Sequence, residues 1–220
     1  MSESIFPPVE SANTDGLLAI GGDINFATLK EAYLSGIFPW PIGEQYPLTW
    51  FSPDPRGVIF FDDLHIPKSL SKSLKKINWT LTYNQQFDQV IQVCSEIRRK
   101  HETGTWINQE VLKGYKDLFR QGHAYSVEVW NEQKELIGGL YGVCFGEIIS
   151  GESMFHREDN ASKFALIALI EKLRSKGIKF LDTQMVTEVV RSLGGKEIPR
   201  SDFIQLIQKV ESKRLRDDLF

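Results

Sequence analysis

The sequence predicts an α+β protein in two parts: a small N-terminal α/β domain over residues 1–62, then a larger domain with a mixed β-sheet over 63–220. Three observations carry that prediction. A proline-rich aromatic stretch interrupts the first part. Three β-rich runs separated by short turns open the second half. A strongly patterned helix and one buried strand then follow those runs. The 220 residues are 41% hydrophobic and 25% charged, which is ordinary globular composition with enough apolar surface for one large core. No internal repeat is visible.

In chain order, residues 16–61 read as short strands and one helix. "DINFATLKEAYLSG" places Phe26, Leu29, Ala32 and Tyr33 at helical spacing, with Gly36 positioned to end the helix. The stretch "GIFPWPIGEQYPLTWFSPDPR" holds five of the nine prolines and two of the five tryptophans. Each proline removes a backbone donor and fixes φ, so the segment can be neither a continuous helix nor a central strand. Its rings serve either as plugs for a core or as a preformed wall for a flat ligand. "GVIFF" then reads as a strand, and the soft boundary near residues 62–70 follows it. A basic helix spans about 67–76, "WTLTY" is a strand, and further helices run from about 85 to 100 and from Asn108 to Gly122.

"AYSVEVW", "ELIGGLYGVCF" and "EIISGESMF" form an antiparallel meander. Asn160 opens "NASKFALIALIEKLRSKG", where Ala161, Phe164, Ala165, Ala168, Leu169 and Leu173 make a helical stripe that Gly177 stops. "IKFLDTQ" is a buried strand, and "SDFIQLIQKVESK" is a closing helix. This β-β-β-α-β order resembles the GCN5-related acyltransferase fold. That fold grips a CoA pyrophosphate with a glycine-rich turn at the central helix. Here the turn is "FHREDNASK", without glycine and with Glu158 and Asp159 where phosphates would approach, so CoA is disfavoured as donor.

Net charge is −3 and the pI about 5.9, which argues against indiscriminate nucleic-acid coating. Locally, residues 64–100 hold seven lysines and arginines against Asp88 and Glu96. Lys68, Lys72, Lys75 and Lys76 share a helical face, either merely solvated or in contact with phosphates. Two cysteines without ligand spacing, the lack of a signal-like N-terminus and the lack of an 18-residue apolar run lead us to expect a cytoplasmic protein without membrane contact. Four histidines without ligand spacing call for no metal, and no cofactor is expected.

Two polar groups stand out among apolar runs. Asp182 and Gln184, two apart near the end of a strand, leave the same face. Glu152 lies between Gly151 and Ser153. Each is either a strand-end group bonded to nearby backbone or part of one shared pocket.

The segments "GLLAIGGD", "AYLSGIFPW", "WFSPDPR", "GTWI", "SVEVW", "GGLYGV", "GESMF", "NASK", "DTQ" and "SLGGKEIPR" occur in the order found in the leucyl/phenylalanyl-tRNA–protein transferase family, which the chain resembles from about Phe6 to Arg200. The resemblance implies an aminoacyltransferase that moves Leu or Phe, and less readily Met, from Leu-tRNA or Phe-tRNA. The acceptor would be the α-amino group of proteins beginning with Arg or Lys, in the N-end rule degradation pathway. It implies catalysis by Asp182 and Gln184, and a 3′-adenosine site at Tyr33, Trp40, Trp106 and Tyr115. The side-chain pocket would be Leu140, Ile149, Glu152, Met154, Leu169 and Leu173. Lys68, Lys72, Lys75 and Lys76 become tRNA phosphate contacts. The protein is expected to act as a monomer. Val189 stands where the family commonly has histidine, so no role resting on that histidine carries over. Gly195 replaces a common alanine, and Leu169 and Leu173 stand where larger aromatics occur. The alternatives are a CoA-dependent N-acyltransferase and a non-catalytic binder of tRNA 3′ ends, which would not need Asp182 and Gln184.

Overall fold

The computed structural model describes residues 4–43, 46–97, 105–211 and 219–220. Arg98, Arg99, Lys100 and the ends of two expected helices fall outside them. The first part holds β1 (Leu17–Ile20), α1 (Phe26–Leu34), β2 (Phe38–Pro39) and β3 (Thr49–Phe51). Asn25 caps α1, its Oδ1 accepting from the Thr28 amide at 3.0 Å. Gly36 ends the helix at φ +74°, which glycine adopts without steric cost. The three strands form a small antiparallel sheet in the order β1-β3-β2. Pro39 sits on the edge strand β2, while the central strand β3 carries no proline, as the missing amide donor requires.

The remaining elements are β4 (Arg56–Phe60), α2 (Lys68–Leu74), β5 (Thr80–Tyr83), α3 (Phe87–Glu96), α4 (Gln109–Arg120), β6 (Ala124–Trp130), β7 (Leu136–Phe145) and β8 (Ile148–His156). They are followed by α5 (Ala161–Ser175), β9 (Phe180–Gln184), α6 (Glu188–Ser192), β10 (Lys196–Ile198) and α7 (Arg200–Glu211). A seven-stranded sheet runs β10-β4-β9-β8-β7-β6-β5, antiparallel except for the parallel neighbours β8 and β9. The meander β6-β7-β8 and the crossover through α5 match the sequence reading. β4 was expected in the N-terminal part, yet it is hydrogen-bonded into the large sheet between β10 and β9. A strand with Val58 and Ile59 both fully buried needs cover on two faces, and the large sheet supplies it. α6 leads into the "SLGGKEIPR" segment and β10 lies within it, in a region where no element was expected. Asn160 precedes α5 in the left-handed conformation at φ +71°, with no side-chain cap.

β7 is buried along all ten residues because both faces of the sheet are covered. One face carries α5, with Ile149, Leu169, Leu173 and Leu181 in its core. The other carries α3, α4 and the N-terminal elements, whose Tyr33, Phe38 and Trp50 share one core with Tyr115 and Tyr141. The aromatic stretch divides between a buried and a half-buried tryptophan. Trp50 is a core plug, edge-on to Phe6 with ring centroids 4.9 Å apart. Trp40 is only half-buried.

Candidate active site

β8 and β9 pair in parallel at Ser150 and Asp182. Beyond that point a cavity of about 350 Å³ opens between them, lined by Gly151–Met154 on one side and Thr183–Met185 on the other. That volume suits a small ligand or the end of a larger one. Trp40 and Trp106 form one wall, with Phe38 and Pro39 beside them. Leu140, Met154, Leu166 and Leu169 make an apolar recess against α5, closed by Val189 and Val190 of α6.

Glu152 and Gln184, with Ser153, Thr183 and Thr187, supply the polar part of the lining. The Glu152 carboxylate accepts from the Ser150 hydroxyl at 2.7 Å, the Gln184 Nε2 at 2.9 Å and the Tyr115 hydroxyl at 3.3 Å. Desolvation pushes its pKa up to about 7. The Ser150 and Tyr33 hydroxyls oppose that rise, the Asp182 charge adds to it, and Arg56 opposes it. Tyr33 and Tyr115 join hydroxyl to hydroxyl at 2.5 Å, and burial near Glu152 raises both phenols well above their ordinary value.

Asp182 is 2% exposed and lies behind the cavity rather than in its lining. Its Oδ1 accepts from Arg56 Nε at 2.8 Å, and its Oδ2 from Arg56 Nη2 at 2.6 Å. Gln184 stays with Asp182, though not through strand alternation alone. The ladder to β4 is irregular here, and Gln184 takes φ +56°. Its amide N–H thereby reaches Asp182 Oδ1 at 3.0 Å while its side chain reaches Glu152. Gly57 makes room for this turn: a Cβ there would lie 2.5 Å from the Met185 carbonyl carbon.

Of the residues expected at the site, Trp40, Trp106, Leu140, Glu152, Met154, Leu169 and Gln184 meet in one cavity. Ile149 and Leu173 do not line it; both are fully buried in the core around α5. Tyr33 and Tyr115 are buried too, and neither ring lines the cavity. Stacking on an adenine is therefore not open to them in this structure, and their hydroxyls hold Glu152 instead. Lys68, Lys72, Lys75 and Lys76 are exposed on and just after α2, and none of them lines the cavity. Arg56, Phe38, Ser150 and Leu166 were not anticipated. A cation opening the apolar run "RGVIFF" was the one available signal for Arg56.

The turn before α5 has little backbone left for a pyrophosphate. The Arg157 and Glu158 amides both donate to the Ile137 carbonyl, at 2.7 and 3.4 Å, and the Ala161 amide donates to the Glu158 carbonyl.

Two family models match the chain: leucyl/phenylalanyl-tRNA protein transferase over residues 58–208, and its N-terminal domain over residues 22–54. Relatives named leucyl/phenylalanyl-tRNA–protein transferase include one from Flavobacterium johnsoniae, 47% identical over 92% of this chain and 95% of that protein. One from Hydrogenovibrio crunogenus is 44% identical over 95% and 82%, and one from Shewanella baltica is 47% identical over 96% and 88%. Among solved structures, L-PGS from Bacillus licheniformis aligns with TM-score 0.43 at 12% identity, over 73% of this chain and 66% of that one. With one family model matched over residues 58–208, and near-full-length relatives sharing almost half its residues, the chain belongs to the leucyl/phenylalanyl-tRNA protein transferase family.

Proposed function

We propose that this enzyme transfers leucine or phenylalanine, and less readily methionine, from aminoacyl-tRNA to the α-amino group of proteins beginning with Arg or Lys. The product enters N-end rule degradation in the cytoplasm. One observation carries the reading: a single cavity joins the Trp40–Trp106 wall to an apolar recess and to Gln184. The wall takes the terminal adenosine, the recess takes the aminoacyl side chain, and the exposed lysines on and just after α2 take acceptor-stem phosphates. Phosphate contacts add affinity without sequence readout, which suits an enzyme that accepts several tRNAs.

The donor is an activated ester and the nucleophile is an amine of pKa roughly 7.7–8.0, so at neutral pH its deprotonation costs only about 1 kcal/mol. Alignment of amine and ester contributes more, about 7–11 kcal/mol in favourable geometry. Asp182 is placed to orient rather than to take the proton. It is buried, and three donors from Arg56 and Gln184 occupy most of its acceptor positions. Gln184 Nε2 is engaged by Glu152, which leaves Gln184 Oε1 to accept from the incoming amine. The direct test incubates the protein with radiolabelled Leu-tRNA or Phe-tRNA and a peptide beginning with Lys or Arg. Extension of that peptide, and not of one beginning with Ala, is the expected result. No extension refutes the reading.

A further inference from the structure

Arg56 is 1% exposed, yet it carries a full charge at the junction between the small sheet and the large one. Its guanidinium fork holds both Asp182 oxygens, while Nη1 donates to the Gly36 carbonyl at 3.0 Å. The guanidinium carbon lies 4.8 Å from the Phe38 ring centroid and 4.5 Å from that of Phe203 on α7. Four separate elements therefore converge on one side chain: the end of α1, the aromatic wall, β9 and α7. Phe38 lines the cavity directly, and Asp182 holds the backbone amide of Gln184, which also lines it. Only a planar fork with donors on two edges can make these contacts together; a lysine ammonium cannot.

We infer that Arg56 is a positioning residue of the transfer reaction. Through Asp182 it fixes the left-handed turn that aims Gln184, and through Gly36 and Phe38 it fixes the aromatic wall at the matching distance. The inference rests on Gln184 acting at the reacting amine, as proposed above. A purely structural ion pair would predict otherwise. Replacing it with uncharged groups of similar size would preserve both fold and turnover, since buried pairs are often stability-neutral.

The test is a mutant cycle of Arg56→Lys, Asp182→Asn and the double variant. It reads kcat and the KM for Leu-tRNA in transfer to a Lys-initiated peptide, with thermal unfolding as the check on folding. Each single variant is expected to lower kcat at least tenfold. The double should fall no more than threefold below the worse single, because both residues act through one contact. KM for Leu-tRNA should rise about threefold or more in Arg56→Lys and stay level in Asp182→Asn, since only Arg56 holds Gly36. A folded Arg56→Lys with kcat within threefold of wild type overturns the inference. So does a double variant whose loss is the product of the two singles. If Arg56→Lys does not fold, Arg56→Met combined with Asp182→Asn leaves no unpaired buried charge. Its kcat should then match that of Asp182→Asn alone, and a further tenfold loss overturns the inference. Gln184→Ala, run alongside, separates the two readings: full activity there refutes the role of Gln184 itself, whatever Arg56 does.

Discussion

Glu152→Gln isolates one proton whose energetic consequence the structure sets. Desolvation raises the Glu152 pKa from 4.5 to about 7 in the fold. The folded state therefore binds this proton more tightly than the unfolded chain does. Stability from the protonated carboxyl is complete below pH 4.5 and is lost as pH rises through about 7. A rise of about 2.5 units at about 1.36 kcal/mol each corresponds to roughly 3 kcal/mol lost between those limits. Glutamine is neutral at every pH: with its carbonyl in place of Oε1 it still accepts from Ser150 and Gln184, while its NH2 group faces the Tyr115 hydroxyl, which then accepts. Urea unfolding of both proteins at half-unit steps from pH 4.5 to 8 measures the difference. The variant should gain on the wild type by up to about 3 kcal/mol as pH rises to 7–8, mostly above pH 5. A difference constant within about 0.5 kcal/mol across that range, or one of opposite slope, refutes the assignment of a desolvated carboxylate at the cavity floor.

Three further outcomes follow from the same geometry. Trp40→Ala removes a cavity wall braced by Phe51, whose ring centroid is 5.6 Å away. Its KM for Leu-tRNA should rise by a factor equivalent to about 1–3 kcal/mol, with kcat nearly unchanged in steady-state transfer assays. Leu169 is fully buried at the recess, so Leu169→Ala should cost about 2–5 kcal/mol in urea unfolding. In a competition between Leu-tRNA and Phe-tRNA, the enlarged recess should shift the ratio toward phenylalanine, by roughly tenfold. Gly57→Ala places a methyl 2.5 Å from the Met185 backbone. It should destabilise by about 1–3 kcal/mol and lower kcat at least tenfold, because the Gln184 turn must move. Unchanged kinetics would count against that turn as part of the machinery.

Periodicity and punctuation alone determined the meander, the α5 crossover and the β9 strand, because alternation, a helical stripe and Gly177 are local signals. Their isolation among apolar runs made Glu152 and Gln184 candidates, the resemblance added Trp40 and Trp106, and these four meet in the cavity. What only the tertiary structure decided concerns directions and long-range partners. The resemblance casts Tyr33 and Tyr115 as stacking rings, but Tyr33 packs on Phe145 and Tyr115 on Tyr141, and their hydroxyls bond to each other and, from Tyr115, to Glu152. Ile149 and Leu173 share the apolar pattern of Leu140 and Leu169, yet they are fully buried in the core and do not line the cavity. Arg56 reads as the end of a proline-rich loop, and its partner Asp182 lies 126 residues away. No local signal encodes a contact at that separation. It exists because β4 inserts beside β9, where a buried charge is tolerated only when the opposite charge faces it.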